Sequence, residues 1–156
     1  MKLGFVTYQI GKDWDIPTIL KICSRTGYTG VELRTTHSHG VEATLNSNER
    51  KDVRKQFEDG GVELVGLGTA FEYHALDPTE LRKNIEGTME YAKLAADLGC
   101  PGVKVRPNGL QTGMGITEEN TLEQIGRSIG KCAEAASDLG VPVSYTHLTL
   151  PTILLV

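Results

Sequence analysis

The sequence predicts an α/β chain built as a partial TIM barrel, with about four and a half βα units and parallel strands. Three observations predict it. An amphipathic run that ends in Gly and leads into a β-branched-rich stretch recurs as RTGYTGVELR, EDGGVELVGL, DLGCPGVKVR and DLGVPV. Helix-start signals precede these stops. Two of the strand segments alternate charged and apolar residues, which puts the charges on one face. Successive units of this kind join through right-handed crossovers into a parallel sheet. An open flavodoxin-like sheet has the same local grammar, and spacing alone leaves both arrangements open. A Rossmann arrangement is weaker, because no GxGxxG follows the first strand and GLGTA at 66–70 leads into FEYH rather than a helix.

The elements follow in order. A first strand is expected over about 3–8, and a first helix carries Ile16, Ile19, Leu20 and Cys23 on one stripe. The second strand covers 30–35. Asn46 with Glu49 opens a second helix, whose stripe of Val53 and Phe57 is thin. After a third strand at 62–68, Asp77-Pro78-Thr79-Glu80 supplies an N-cap, a first-turn proline and a carboxylate at N3 for a helix with Leu81, Ile85, Met89 and Ala92. The fourth strand spans 102–106. Thr117 with Glu118 and Glu119 then places negative charge at the start of a helix carrying Leu122, Ile125, Ile129 and Cys132, followed by a fifth strand at 141–145. Gly27, Gly60, Gly99 and Gly140 are expected to take the left-handed position that ends each helix.

The chain has 156 residues, 39% of them hydrophobic, which allows a real core but falls short of the roughly 250 residues of a complete eight-unit barrel. Its formal charge of −4, with no basic run, gives no electrostatic footprint for nucleic acid. No 18-residue apolar run and no signal peptide is present, so no membrane partner is expected and the localisation expected is cytoplasmic. Cys23, Cys100 and Cys132 are widely spaced and read as buried, inert thiols.

The candidate site is polar. Period-two alternation puts Glu32 with Arg34, and Lys104 with Arg106, on the face away from the helices. Because an unpaired buried charge costs several kcal/mol, Glu32 is expected to pair with Lys104 or Arg106. A closed ion-pair network that only fills a polar interior is the structural alternative. Arg106 and Asn108 fall at a strand end within Arg106-Pro107-Asn108-Gly109, and His74 follows the third strand, so these residues join the substrate-binding set. Gly66 and Gly68 leave room for a ligand or for a bulky neighbour. Tyr8 and Gln9 end the first strand and are placed to floor a pocket or fill the core. His37 and His39 read as solvated loop residues. No residue is assigned a catalytic role.

On this frame, GVELRTTHSHGVE, VELVGLGTAFEYH and GVKVRPNG with TLEQIGR after it resemble the xylose isomerase-like barrel superfamily, specifically bacterial sugar phosphate isomerase/epimerase proteins, over residues 1–142. The resemblance implies a small sugar or sugar phosphate as substrate and a reaction by proton or hydride transfer. It also implies a divalent metal (Mn, Mg, Co or Zn) held by carboxylates and a histidine from the later strands. The first of those carboxylates normally ends strand five, where this sequence has Thr146. Residues 1–142 therefore read as the N-terminal half of such a barrel. Residues 143–156 read as a non-native tail, since VSYTHLTLPT matches the conceptual translation of a transposase-type sequencing adapter; His147 is then accidental. A chain of this kind is expected to be inactive, to hold no metal, and to self-associate through open sheet edges. Two alternatives are an apurinic endonuclease-like phosphodiesterase of the same superfamily, disfavoured by the acidic balance and by Arg106 standing where a second His would be, and a non-catalytic half-barrel interaction module.

Overall fold

Among the described residues each of the four α-helices begins where a short polar side chain can cap the exposed backbone N–H groups, and the computed structural model, which describes residues 1–145, places those caps. Asp15 accepts from the Thr18 N–H and opens α1 (Ile16–Thr26). Asn46 and Glu49 form a reciprocal capping box at the start of α2 (Ser47–Gly60). Asp77 caps α3 (Pro78–Leu98), with Pro78 in its first turn. Thr117 caps α4 (Glu118–Ser137).

The strands are β1 (Gly4–Val6), β2 (Gly30–Arg34), β3 (Glu63–Gly68), β4 (Val103–Val105) and β5 (Val143–Tyr145). They form one parallel sheet in the order β1-β2-β3-β4-β5. A doubly wound flavodoxin-like sheet would place β2 at the edge, in the order 2-1-3-4-5. The sequential order settles the choice that spacing left open: the chain is a partial TIM barrel.

Most apolar residues of the strands meet the helices, while Val6 and Val65 are exposed. Val31, Leu33, Leu64, Leu67 and Val103 pack with Ile19 and Cys23 of α1, Val53 and Phe57 of α2 and Leu94 and Ala95 of α3 in one core. A second, smaller cluster joins Tyr73, Val105, Ile125 and Cys132. All three cysteines are buried free thiols, and desolvation pushes the Cys100 thiol up to about 11.

Several local expectations move. The left-handed residue after α2 is Gly61 (φ 63°), not Gly60, which remains helical. A Cβ at Gly60 would come within 2.8 Å of Leu20, so this glycine serves the close packing of α2 on α1. Gly140 is left-handed, but it lies beyond Asp138, the right-handed residue that follows α4. Leu122 is 52% exposed; Thr121, Ile125, Ser128, Cys132 and Ala136 form the buried face of α4 instead. That face, rotated from the expected stripe, packs Ile125 and Cys132 on Tyr73, which lies outside the strands. Among the described residues no helix is long and apolar enough to cross a membrane.

Candidate functional site

Residues opposite the helices line the concave face of the sheet, and the register brings their charges together. Glu32 stands level with Gly66, Arg34 with Gly68, and Gly68 in turn with Lys104. The β2–β3 register shifts between Val31 and Glu32, so Val65 is the extra residue on β3. Without that bulge the two glycines would not stand beside Glu32 and Arg34.

Gly68 makes room for a neighbouring side chain. A Cβ there would lie 2.7 Å from Glu32 Oε1, so the missing side chain lets the Glu32 carboxylate lie across β3. It meets the Lys104 ammonium as an ion pair, with the two side chains only 16% and 31% exposed. Of the two partners open to Glu32 in the sequence, the structure selects Lys104. Arg106 pairs with Glu72, its Nε at 3.0 Å and its Nη2 at 2.8 Å from Oε1. Arg34 has no carboxylate partner among the described residues; its Nη1 donates to the Gly68 carbonyl at 3.0 Å and its guanidinium lies 5.6 Å from the centre of the Tyr8 ring. Tyr8 and Gln9 are both exposed, so Tyr8 stacks on Arg34 at the open face and does not fill the core.

Glu72 and His74 stand on a segment held from several sides. The carbonyl of Glu72 accepts from Asn84 of α3, that of His74 from Gln111, and those of Tyr73 and Ala75 both from Gln124 of α4. Four successive carbonyls are thus bonded by side-chain amides from three parts of the chain. Between them the Tyr73 ring is fully buried and its hydroxyl bonds Thr88 at 2.7 Å. The His74 ring lies against Gly109, where a Cβ would come within 2.2 Å of it. His74 Nδ1 is buried without a hydrogen-bond partner, and Glu72 Oε2 is 3.7 Å away, beyond hydrogen-bonding range. Asn108 is exposed at the same rim, and its backbone N–H donates to the Arg106 carbonyl.

The expectation for His39 is corrected. It is buried, its Nδ1 accepting from the Val41 N–H at 3.0 Å, so the proton sits on Nε2, which donates to the Arg34 carbonyl at 2.8 Å. Burial lowers its pKa, which keeps the ring neutral. These two bonds span the turn that contains Thr36 (φ 66°). His37 is part-buried rather than fully solvated, and its Nδ1 has no partner.

Sequence reasoning missed Glu72 as the Arg106 partner, together with Asn84, Gln111 and Gln124. The available signal was that a strand-end loop carrying Tyr73 needs amide donors for its carbonyls once it is buried.

Among the described residues no three His, Cys, Asp or Glu side chains come together to hold a metal ion. The described donor set therefore does not fit the divalent metal that the resemblance implies. Thr146 and His147 lie outside the described residues. A cleft of about 270 Å³ lies at the other end of the sheet, lined by Arg54, Phe57, Glu63 and Leu98 among others. It is remote from this chemistry.

Several solved structures share the fold of this chain. The IolI protein with a bound zinc atom is 18% identical with a TM-score of 0.75, covering 93% of this chain and 51% of its own. D-psicose 3-epimerase in the presence of D-fructose is 15% identical with a TM-score of 0.72, over 92% and 51%. The 3-keto-D-glucoside 4-epimerase YcjR from E. coli is 13% identical with a TM-score of 0.70, over 93% and 55%. The chain thus spans about half the length of these proteins, and at such identity the likeness shows the fold. No curated protein matches the chain. A family model for the xylose isomerase-like TIM barrel matches residues 20–147, and the chain belongs to that family.

Proposed function

We propose that this chain provides the sugar-binding wall of a metal-dependent isomerase or epimerase that moves a proton or hydride on a small ketose or polyol ketone. The observation that supports this most directly is the gathering of Glu32, Arg34, His74, Lys104 and Arg106 at the strand C-terminal ends, on the face away from the helices, where TIM-barrel sites form. Charged donors and acceptors that converge on an open face suit the several hydroxyls of a sugar. In this reading Lys104 and Arg106 donate to sugar oxygens, Glu32 accepts from hydroxyls, and His74 stands at the rim beside them. The sugar-epimerase titles among the similar structures agree with that substrate class. The metal ligands of that reaction are assigned to residues other than the described ones.

The test is titration of the 156-residue chain with D-fructose and D-psicose, followed by NMR at His74. Saturable shifts in the millimolar range are expected, weakened about tenfold by Glu72→Gln, which removes the charge that holds Arg106. Absence of any saturable shift with either ketose defeats the reading.

We also propose that the 156-residue chain on its own associates with itself. Among the described residues β1 and β5 are the edge strands, and Val6, Tyr8 and Val65 leave apolar surface exposed. Sedimentation velocity at micromolar concentration should detect dimers or larger species. A single monomer boundary over that range would rule this out.

A further inference from the structure

Asn108 lies at the rim of the concave face, takes no part in its charge pairing, and is followed by glycine. The chain has five asparagines, and only Asn108 precedes a glycine. The other four are at or within helices. Asn46 caps α2, its Oδ1 accepting from the Asn48 and Glu49 N–H groups. Asn48 is in the first turn of that helix, and the N–H of the residue after it is one of those donors. Asn84 of α3 donates its amide to the Glu72 carbonyl. Asn120 of α4 precedes Thr121, whose N–H donates to the Thr117 carbonyl. Asn108 differs from all of them. It is exposed on the loop after β4, and among the described residues neither its side chain nor the Gly109 N–H makes a hydrogen bond.

We propose that Asn108 with Gly109 is a self-modification site, at which the Gly109 amide nitrogen attacks the Asn108 side-chain carbonyl and the residue becomes aspartate or isoaspartate. A bond forms between the Gly109 nitrogen and Asn108 Cγ, the Cγ–Nδ2 bond breaks, and the amide leaves as ammonia with the proton that the Gly109 nitrogen gives up. Water then opens the five-membered imide at either carbonyl. Both openings leave a carboxylate, and one of them lengthens the main chain by one carbon. The attack needs a free N–H and a following residue whose side chain does not block it, and Gly109 supplies both. Hydrogen-bonded N–H groups inside helices do not. The consequence falls on the candidate site. A negative charge appears two residues from Arg106, whose carboxylate partner is Glu72. The isoaspartate form also moves Gly109, which packs so closely on the His74 ring that a Cβ would come within 2.2 Å of it.

The experiment incubates the 156-residue chain at mildly alkaline pH and follows its five asparagines by peptide mapping with mass spectrometry, beside a free peptide of residues 105–115. Asn108 is expected to deamidate about tenfold faster than any other asparagine and within about tenfold of the free peptide. Labelling by an isoaspartyl methyltransferase measures the isoaspartate share. Asn108→Gln, which would have to close a less favoured six-membered ring, should lose the label at this position. In the aged chain the His74 ring signals should split by NMR in proportion to the converted fraction, while the circular dichroism spectrum stays that of the fresh chain. Equal rates at all five asparagines, or an Asn108 rate further below the peptide than that, overturn the proposal. Conversion that leaves the His74 signals unchanged overturns its consequence for the candidate site.

Discussion

Replacing Tyr73 by alanine is expected to unfold most of the chain. Tyr73 is fully buried between Val105, Ile125 and Cys132, and its hydroxyl bonds Thr88. Truncating a buried aromatic side chain costs about 3–5 kcal/mol, of the order of the whole stability of a small domain. The effect also reaches the candidate site, because Glu72 and His74 are the residues on either side and their carbonyls are held by the same set of amides. Tyr73→Phe keeps the ring and loses only the hydroxyl bond, for which about 1 kcal/mol is expected. Urea unfolding followed by circular dichroism checks both. A Tyr73→Ala chain that unfolds within about 1 kcal/mol of the parent would show that the second cluster contributes little and that the 71–75 segment is held by its amides alone.

The second large effect concerns Glu32 and Lys104. Lys104→Met leaves the Glu32 carboxylate poorly exposed and deprived of its ion pair, with Oε1 shielded from solvent. An uncompensated buried charge costs about 3–5 kcal/mol, and the partial exposure of this pair places the expected loss near about 2–3 kcal/mol. Removing both charges, as in Glu32→Gln with Lys104→Met, is expected to recover most of that loss, because the solvation cost disappears together with the attraction. A double-mutant cycle in urea measures the coupling. Additive single effects would mean that water reaches both groups and that the pair is not part of the framework of the concave face. If the concave face binds sugar as proposed, the single variants should weaken that binding, since both groups stand on it.

The order of βα units, the helix caps and the concave placement of Glu32, Arg34, Lys104 and Arg106 were legible in the sequence. These features are set locally: a cap by residues three apart, a face by period two, a helix end by a glycine that tolerates positive φ. Asn46 with Glu49 and Asp77 with Pro78 form the caps their spacing predicts. Membership of the xylose isomerase-like family also followed from phrases that the strand ends carry. The sheet order, by contrast, separates a partial barrel from an open doubly wound sheet, and βα spacing is the same for both. Which cation meets which carboxylate was equally a matter of tertiary structure. The bulge at Val65 shifts β3 against β2 and brings Gly66 beside Glu32 and Gly68 beside Arg34, and the segment that buries Tyr73 under α4 carries the Glu72 that meets Arg106. His39 turned inward for the same kind of reason, its two ring nitrogens serving backbone groups at the turn after β2. Periodicity assigns a side chain to a face; only register and packing, which depend on residues tens of positions away, assign it a partner.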